Sequence, residues 1–577
     1  MNMDRRRFLT VGGLSAGLAA LTLAGCSPSK PTVIEGQATE PAAESWLGEA
    51  PEIAAADIVE TVSTDLLIVG AGNAGCVAAA TAGELGLSAI TCDRGNAVAT
   101  PRYWNGFVNT RLHEEAGLSV DKMKALNELS RYASGMCDQE VWKTYLNESG
   151  ETFEFIDGIL QAAGFSVYLD TEGYGLPTGG TDYYVPPIQH MWYKEEEAMG
   201  LKSLAGMLSM SSNRNIELQK YAEAKGVPFR FGHTLVKLLR DGDGPVTGGI
   251  FETSAGYVQI NAKNTILAAG GYSDNPIMVN ALAPEIPYAC TTNTSQPGCD
   301  GSGIKAGLWV GGVKDIVSAP MIFDRGSATP DMTTGYVGTG KDAILPAMSM
   351  QALGSLPFMK VNKRGRRFCN ESAPYDVMEN QAARQPGGVW ATVVDANCVP
   401  QAMQLSVVGC AKSGVELMAV GAQMGGMENV KTPAFDMGIM FTEGYMFKAD
   451  SLEEIAEQMK LPKEAFLTQV AEYNAMCDAG EDTQYGKEAY RLTPIRTAPF
   501  YGWYGSGVII CTLDGLTIDK DMRVLDANCE PIEGLFAAGN NAGSKFASNY
   551  PEYFVGCASG SAMTEGRHAV RCIAGRL

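Results

Sequence analysis

The chain reads as an α/β protein with a mixed α+β stretch inserted into its core. Three observations carry this reading. Val69-Gly70-Ala71-Gly72-Asn73-Ala74-Gly75 lies between a short apolar run and a run of small residues with helical character, and Asp93 follows 23 residues after Gly70. Residues 265–271, Thr-Ile-Leu-Ala-Ala-Gly-Gly, form a second apolar run ending in paired glycines. Mixed patterns fill about 330–505, after which short strand patterns return at 507–512, 516–519 and 535–538.

Residues 64–69 (TDLLIV) form a buried strand, 74–85 a small-residue helix and 88–92 a second strand ending in Asp93. In the turn between them, the first glycine permits the tight bend and the second lets backbone approach a pyrophosphate. The third allows helix and strand to pack closely. The helix N-terminus offers free N–H groups to phosphate, and Asp93 accepts from ribose hydroxyls. This is a Rossmann-like nucleotide cradle.

Helical periodicity continues at 120–132, 139–163 and 201–225. From residue 227 the pattern changes to short β segments leading into Gly270 and Gly271, a second close backbone approach. Helices are expected at 452–459 and 463–478, and a last one from about 556 to 574. Residues 421–426 (Gly-Ala-Gln-Met-Gly-Gly) follow a helical pattern and read as a turn, so no second cradle for a nicotinamide nucleotide is written here.

Asp4-Arg5-Arg6-Arg7-Phe8-Leu9 precedes a modest apolar stretch to about Leu23, then Leu23-Ala24-Gly25-Cys26. Paired arginines, a Gly/Ala-diluted apolar region and a small-residue cleavage point describe a twin-arginine export signal over residues 1–25. The stretch is shorter than the roughly 20 apolar residues of a spanning helix. Leu-Ala-Gly-Cys also matches a lipoprotein box, so Cys26 either carries a lipid anchor to the membrane or follows an ordinary peptidase site. Residues 26–60, rich in Pro, Ala and Glu, read as a flexible tether. The expected location is the cell envelope, at the extracytoplasmic membrane face or in the periplasm.

Loss of residues 1–25 removes three arginines and one aspartate, moving the net charge from −21 to −23. Such acidity argues against nucleic acid and suits neutral or cationic partners. The 14 cysteines show no CxxC spacing and the four histidines (His113, His190, His233, His568) are scattered, so no metal site is expected.

Taken in order, VGAGNAG, AAGGYSDN, GCDGSGIKAG, VNKRGRRFCNE, TLDGLTID and GLFAAGN…GCASGSAMTEGRHA punctuate the chain from residue 62 to its end. They resemble the flavoprotein family of fumarate reductase and succinate dehydrogenase, which also includes 3-ketosteroid dehydrogenases and exported enoate-type reductases. The resemblance implies a Rossmann-like FAD-binding domain built from 61–330 and 506–577, with an α+β capping domain, 331–505, inserted between them. It implies an extended FAD with its adenosine near Asp93 and its pyrophosphate on residues 70–75. The implied binding set is Gly70, Gly72, Asn73, Ala74 and Gly75, with Asp93 and Arg94. To these it adds Ala269, Gly270, Gly271 and Asp300, and then Gly539, Asn540, Gly556, Ala558 and Ser559.

Residues 556–560 (Gly-Cys-Ala-Ser-Gly) start a helix whose unpaired N–H groups, aimed at the flavin pyrimidine edge, stabilise the anionic reduced ring by ~0.3–2 kcal/mol. Asn540 stands where the family has a glutamate and still offers hydrogen bonds to ribityl hydroxyls. Arg102, after Asp93, would add positive charge near the ring. Single-flavin exported relatives imply a separate electron donor, a cytochrome or a membrane quinol pathway.

The family's dicarboxylate apparatus is largely absent. By alignment to VNKRGRRFCNE the catalytic arginine falls at Tyr375, followed by a matching Asp376. The proton-relay residues fall at Gln351 and Gly354, a substrate histidine at Cys511, and a substrate arginine near Tyr553, or at Tyr550 if the register slips. Two buried negative charges need paired cations. Tyr, Cys and Gly in their place suit a small neutral or weakly polar acceptor.

The expected reaction is reduction of an activated C=C bond. Tyr375 would protonate one carbon, Asp376 would orient it, and Tyr550 or Tyr553 would polarise the carbonyl. The same tyrosines could run a 3-ketosteroid-type dehydrogenation, and a flavin that only relays electrons is a third reading. The aromatic segment 168–193 either lines a substrate entrance or simply packs, and the basic run 363–367 reads as a solvated turn of the cap.

Overall fold

The computed structural model describes residues 46–577 apart from 100–102, 173–182, 195–213, 296, 348–349 and 433–434. The export leader, Cys26 and most of the tether lie outside the described residues, as do Arg102, the middle of the 168–193 segment and the first half of the helix expected at 201–225. The elements that position the site are β1 (Ile58–Val69), α1 (Asn73–Leu85), β2 (Ala89–Cys92), β3 (Gly256–Leu267), β4 (Phe500–Thr512), β5 (Pro531–Ala537) and α2 (Cys557–Ile573).

β1 runs parallel to β2 on one side, with Val69 opposite Cys92, and to β3 on the other, with Val69 opposite Leu267. β5 joins β3 in parallel, with Ala537 opposite Leu267. These strands therefore end at one level. The segments that follow them, 70–75, Asp93, 268–271 and 538–540, gather at the carboxyl edge, where open α/β sheets bind ligands. Leu66, Leu67 and Ile68 are fully buried, the continuous apolar run expected of a parallel strand covered on both faces.

Helix α1 is made of small residues because α2 lies almost in contact with its backbone. A Cβ placed on Gly566 of α2 would stand 2.2 Å from the Ala74 carbonyl oxygen. The helices expected from periodicity are found as Lys122–Tyr132, Gln139–Ala162, Leu452–Gln458 and Lys463–Ala479. Of the stretch expected as a helix at 201–225, Arg214–Ala224 is helical and the residues before it lie outside the described ones. Lys412–Gln423 ends in the glycine turn read at 421–426. The strand expected at 516–519 forms only isolated bridges, Leu516 with Lys314 and Ala542 and Ile518 with Val524.

A second sheet is built around β4. Its first half pairs antiparallel with Trp390–Val394 and Met446–Ala449. Its second half pairs antiparallel with Pro320–Ala328 and parallel with Cys290–Asn293. The strand runs unbroken through the position, between 505 and 506, where a domain boundary was expected.

The basic run is not wholly solvated. Arg364 and Arg366 are exposed, but Arg367 is buried and forms a fork with Glu371, at 2.8 Å, and Asp482, at 2.9 Å. A planar guanidinium with carboxylates on two sides is a structural clamp, and the solvated-turn reading is corrected for this residue. The cysteines from Cys76 onward are all free thiols, most of them buried.

Candidate active site

A cavity of about 490 Å³ opens along the carboxyl edge of the parallel sheet. Its size is that of a small-molecule site. At one end its wall is the glycine turn, with Asp93 and Arg94. The turn's geometry explains each glycine separately. Gly70 has φ +110°, and a Cβ there would lie 2.3 Å from the Ala268 carbonyl oxygen, so it brings the ends of β1 and β3 together. A Cβ on Gly75 would lie 1.8 Å from the Gly70 carbonyl oxygen. Gly72 has open space at that position and faces the cavity.

Asp93 both borders the cavity and pins the turn. Its Oδ2 accepts from the Ala71 N–H at 2.7 Å and its Oδ1 from the Gly95 N–H at 2.7 Å. A carboxylate offers about four lone-pair sites, which leaves capacity for ribose hydroxyls. Arg94 pairs with Asp300 at 2.5 Å and donates to the Gly298 carbonyl at 3.2 Å, closing the outer edge.

The middle of the wall carries Ala269, Gly270, Gly539 and Asn540. The Gly539 N–H donates to Glu565 Oε2 at 2.8 Å, and Glu565 is ion-paired with the buried Lys545. Burial pushes the Glu565 carboxyl above its ordinary value, with Lys545 drawing it back. Helix α2 follows Gly556, which has φ +76° and gives no side-chain cap, and Gly556, Ala558 and Ser559 border the cavity. The helix start is held by close backbone approach, since a Cβ on Gly560 would lie 1.7 Å from the Gly106 carbonyl oxygen.

Asn73 links the two helix N-termini. Its Nδ2 donates to Ser559 Oγ at 2.7 Å, and its Oδ1 accepts from the buried Arg214 at 2.7 Å and from Asn215 at 3.1 Å. Burial draws the Arg214 guanidinium down to about 10, which still leaves it charged at neutral pH. Sequence reasoning missed this cation beside the glycine turn, because its helix was legible only as an amphipathic pattern.

Of the residues expected to bind the cofactor, Gly75, Gly271 and Asp300 stand behind the wall. Gly75 packs on the turn, Gly271 leaves no room for a Cβ against Thr512, and Asp300 holds Arg94. The other members of that set line the cavity.

At the far end the wall is apolar and aromatic, with Met321, Phe323, Tyr375, Tyr550 and Val555. Tyr375 follows Pro374 at the start of the helix Tyr375–Ala382 and packs edge-on against Phe323, ring centroids 5.2 Å apart. Burial raises the phenols of Tyr375 and Tyr550 well above their usual value, so both remain protonated donors.

Two of the expected catalytic residues do not reach this wall. Tyr553 turns away, donating to the Ser372 carbonyl at 3.3 Å and packing on Tyr183. Asp376 lies behind Tyr375, where the Asn549 amide, oriented to donate, reaches its Oδ2 at 2.9 Å. Burial lifts its carboxyl to about 7.

The carboxyl that does meet the wall is Glu552, which accepts the backbone N–H of Tyr375. Burial raises it well above the usual carboxylate range, with Asp324 adding to the rise and Arg325 opposing it. Its local signal was an acid set among aromatics in Tyr550-Pro551-Glu552-Tyr553-Phe554.

A second missed residue is Arg325, 1 % exposed, whose guanidinium lies 4.5 Å from the Phe323 ring and 5.5 Å from that of Tyr375. Its Nε and Nη2 have no hydrogen-bond partner. Gln351 and Gly354, the positions matched to the family's relay, abut this segment. The Gln351 N–H donates to the Arg325 carbonyl at 2.6 Å, and a Cβ on Gly354 would meet the Asp324 carbonyl at 2.1 Å. A buried cation thus exists one layer behind Tyr375, although none lines that end of the cavity among the described residues.

Residues 65–553 match the family described as FAD binding domain, and the chain belongs to that family. Its cofactor is FAD and it is a flavoprotein oxidoreductase. It is 26 % identical over 526 residues to a vinyl phenol reductase of Lactiplantibacillus plantarum, covering 88 % of this chain and 97 % of that protein. It is 24 % identical over 515 residues to a urocanate reductase of Eggerthella lenta, covering 85 % and 71 %. The solved 3-ketosteroid delta1-dehydrogenase of Sterolibacterium denitrificans superposes with a TM-score of 0.67 at 19 % identity, over 89 % of this chain and 100 % of that one. At that identity the likeness is one of fold.

The residues present fit FAD. Gly72 leaves an open face, both helix N-termini lack a side-chain cap, and Asp93 stands at the cavity edge.

Proposed function

We propose that this protein reduces the activated C=C bond of a small acceptor of aromatic size that is not a dicarboxylate. The observation that carries this is the far end of the cavity, where two protonated phenols and one carboxyl are set among apolar residues with no lining cation among the described residues. A dianion placed there would lose its hydration without gaining paired charge. A planar alkene conjugated to a carbonyl or phenol ring would bury its apolar face and keep one polar end for a phenolic donor. Likeness in sequence to a vinyl phenol reductase and a urocanate reductase supports the same class.

Bound in reduced form, FAD supplies hydride at this site. Tyr375 and Tyr550 orient the alkene and donate hydrogen bonds to its polarisable end, and Phe323, Met321 and Val555 exclude water. An acid on the wall, Tyr375 or Glu552, delivers the proton.

A separate electron donor is supported by the single nucleotide cradle among the described residues. Export, with a lipid anchor at Cys26, is supported by the leader and its Leu-Ala-Gly-Cys box.

The test is anaerobic. Flavin reduced with dithionite is mixed with a vinyl phenol, hydroxycinnamate-type enoates, urocanate, an enone and fumarate, and the return of flavin absorbance is followed. Saturable re-oxidation by one neutral alkene, with fumarate silent, is expected. Fast re-oxidation by fumarate would sink the reading. Bleaching of oxidised flavin by a saturated ketosteroid would move it to dehydrogenation. Tyr375→Phe is expected to keep FAD and slow re-oxidation at least roughly tenfold, the worth of one hydrogen bond of about 1.4 kcal/mol.

A further inference from the structure

We propose that Glu552 is the proton donor of the alkene reduction, recharged through a small polar cavity behind it. This rests on the reductase reading above.

Glu552 and Asp93 are the carboxyls on the wall of the main cavity, and Asp93 is at the opposite end, tied to two backbone N–H groups. Glu552 also borders a second cavity of about 30 Å³, whose wall includes Asp324, Ser355, Glu371 and Tyr553. Tyr375 and Val408 are the other residues common to both walls. The carboxyl therefore forms part of the partition between a substrate-sized space and a water-sized one, since a water needs on the order of 10–15 Å³.

Its position is fixed. Oε2 accepts the Tyr375 N–H, which leaves Oε1 to carry the proton. Burial favours the protonated form of this carboxyl. On the far side of the small cavity Asp324 accepts the Ser355 hydroxyl at 2.5 Å, so polar groups continue from the partition into the protein. Tyr375, whose backbone N–H holds the Glu552 carboxyl and whose ring shares both walls, becomes the residue that holds the substrate against Glu552.

The step balances without a further reagent. Bound reduced FAD would supply the hydride to one alkene carbon. The Oε1–H bond of Glu552 breaks as a C–H bond forms at the neighbouring carbon. The resulting carboxylate regains a solvent proton relayed by water in the small cavity, and the external donor would restore the cofactor's two electrons together with one proton from solvent.

The experiment compares Glu552→Gln, Glu552→Ala and Tyr375→Phe as FAD-loaded full-length protein, with the alkene that best re-oxidises the wild type. Glu552→Gln is isosteric and is expected to keep its flavin spectrum and dithionite reduction while re-oxidation slows at least about 100-fold. Glu552→Ala is expected to be equally slow and to be partly restored by formate or acetate, which fit the vacated carboxyl position. Those acids should leave Tyr375→Phe unchanged.

A Glu552→Gln rate within about threefold of wild type overturns the assignment. So does a slow Glu552→Ala that neither acid accelerates. If no alkene re-oxidises the wild type, the reductase reading itself has failed and Glu552 falls with it. A responsive wild type with an unaffected Glu552→Gln removes Glu552 alone.

Discussion

Gly75→Ala is expected to yield protein without flavin. The added methyl would stand 1.8 Å from the Gly70 carbonyl oxygen, and that oxygen belongs to the turn that must cradle the pyrophosphate. Neither side can yield cheaply. Helix α1 is pressed against α2 by the Gly566 contact, and Gly70 is pressed against Ala268 by its own. Overpacking of this kind costs about 1–3 kcal/mol in ordinary cores, and here the strain falls on backbone. The ratio of bound FAD to protein after purification measures the effect, with the melting temperature of the flavin-free form beside it. Gly72→Ala is the informative partner. Its Cβ meets nothing within 4 Å and its φ of −86° suits any residue. It should therefore leave the flavin-free melting temperature unchanged and weaken FAD binding, because its methyl occupies the cofactor's side of the turn. Equal FAD content in Gly75→Ala and wild type would refute the packing argument.

Arg367→Met is expected to destabilise the protein by about 3–5 kcal/mol, the usual cost of removing one partner from a buried ionic cluster. Arg367, Glu371, Asp482 and Lys487 form that cluster. The side chains of all four are fully buried, and Lys487 reaches Glu371 at 3.5 Å. Methionine keeps much of the volume between Tyr473 and Tyr485 but leaves two carboxylates facing one lysine. Denaturant unfolding at neutral pH reads the loss.

A second signature lies in acid. Burial by itself would raise Asp482, but its hydrogen bonds and charge attraction with Arg367 bring it down to about 2. Glu371 is also lowered, burial being outweighed by Arg367 and Lys487. A folded value below the unfolded one contributes stability that is complete above the ordinary carboxylate range and is lost as pH falls toward about 2. The variant should lack most of this acid slope. A variant as stable as wild type at neutral pH would show that the clamp is energetically idle.

The parts of this molecule written locally were legible and the parts written by contact were not. The glycine turn, α1 and Asp93 follow from spacing alone, because strand, turn and helix each announce themselves within a few residues. Lys463–Ala479 was legible from its period. Residues 516–519 alternate like a strand but meet partners only one residue at a time, and Asp519 instead accepts the backbone N–H groups of Asp521 and Arg523 to make a turn. Asp376 was the natural carboxyl to place beside Tyr375, being its neighbour in sequence. The one that meets it at the cavity arrives from 177 residues away, and nothing in the local pattern encodes that meeting. Arg367 resembled its exposed neighbours until Asp482, 115 residues on, closed over it.

The continuity of β4 has a kinetic consequence. At roughly 3.4 Å per residue its thirteen residues form a tie of roughly 40 Å, laddered at one end to Trp390–Val394 and at the other to the strand carrying Phe323. A lid hinged at this strand would have to tear a hydrogen-bond ladder on every turnover. The wall segment 405–410, which contributes Val408, Gly409 and Cys410, lies outside this ladder but is itself held by Arg491 on the Leu405 and Ser406 carbonyls and by Gln189 on the Gly409 N–H.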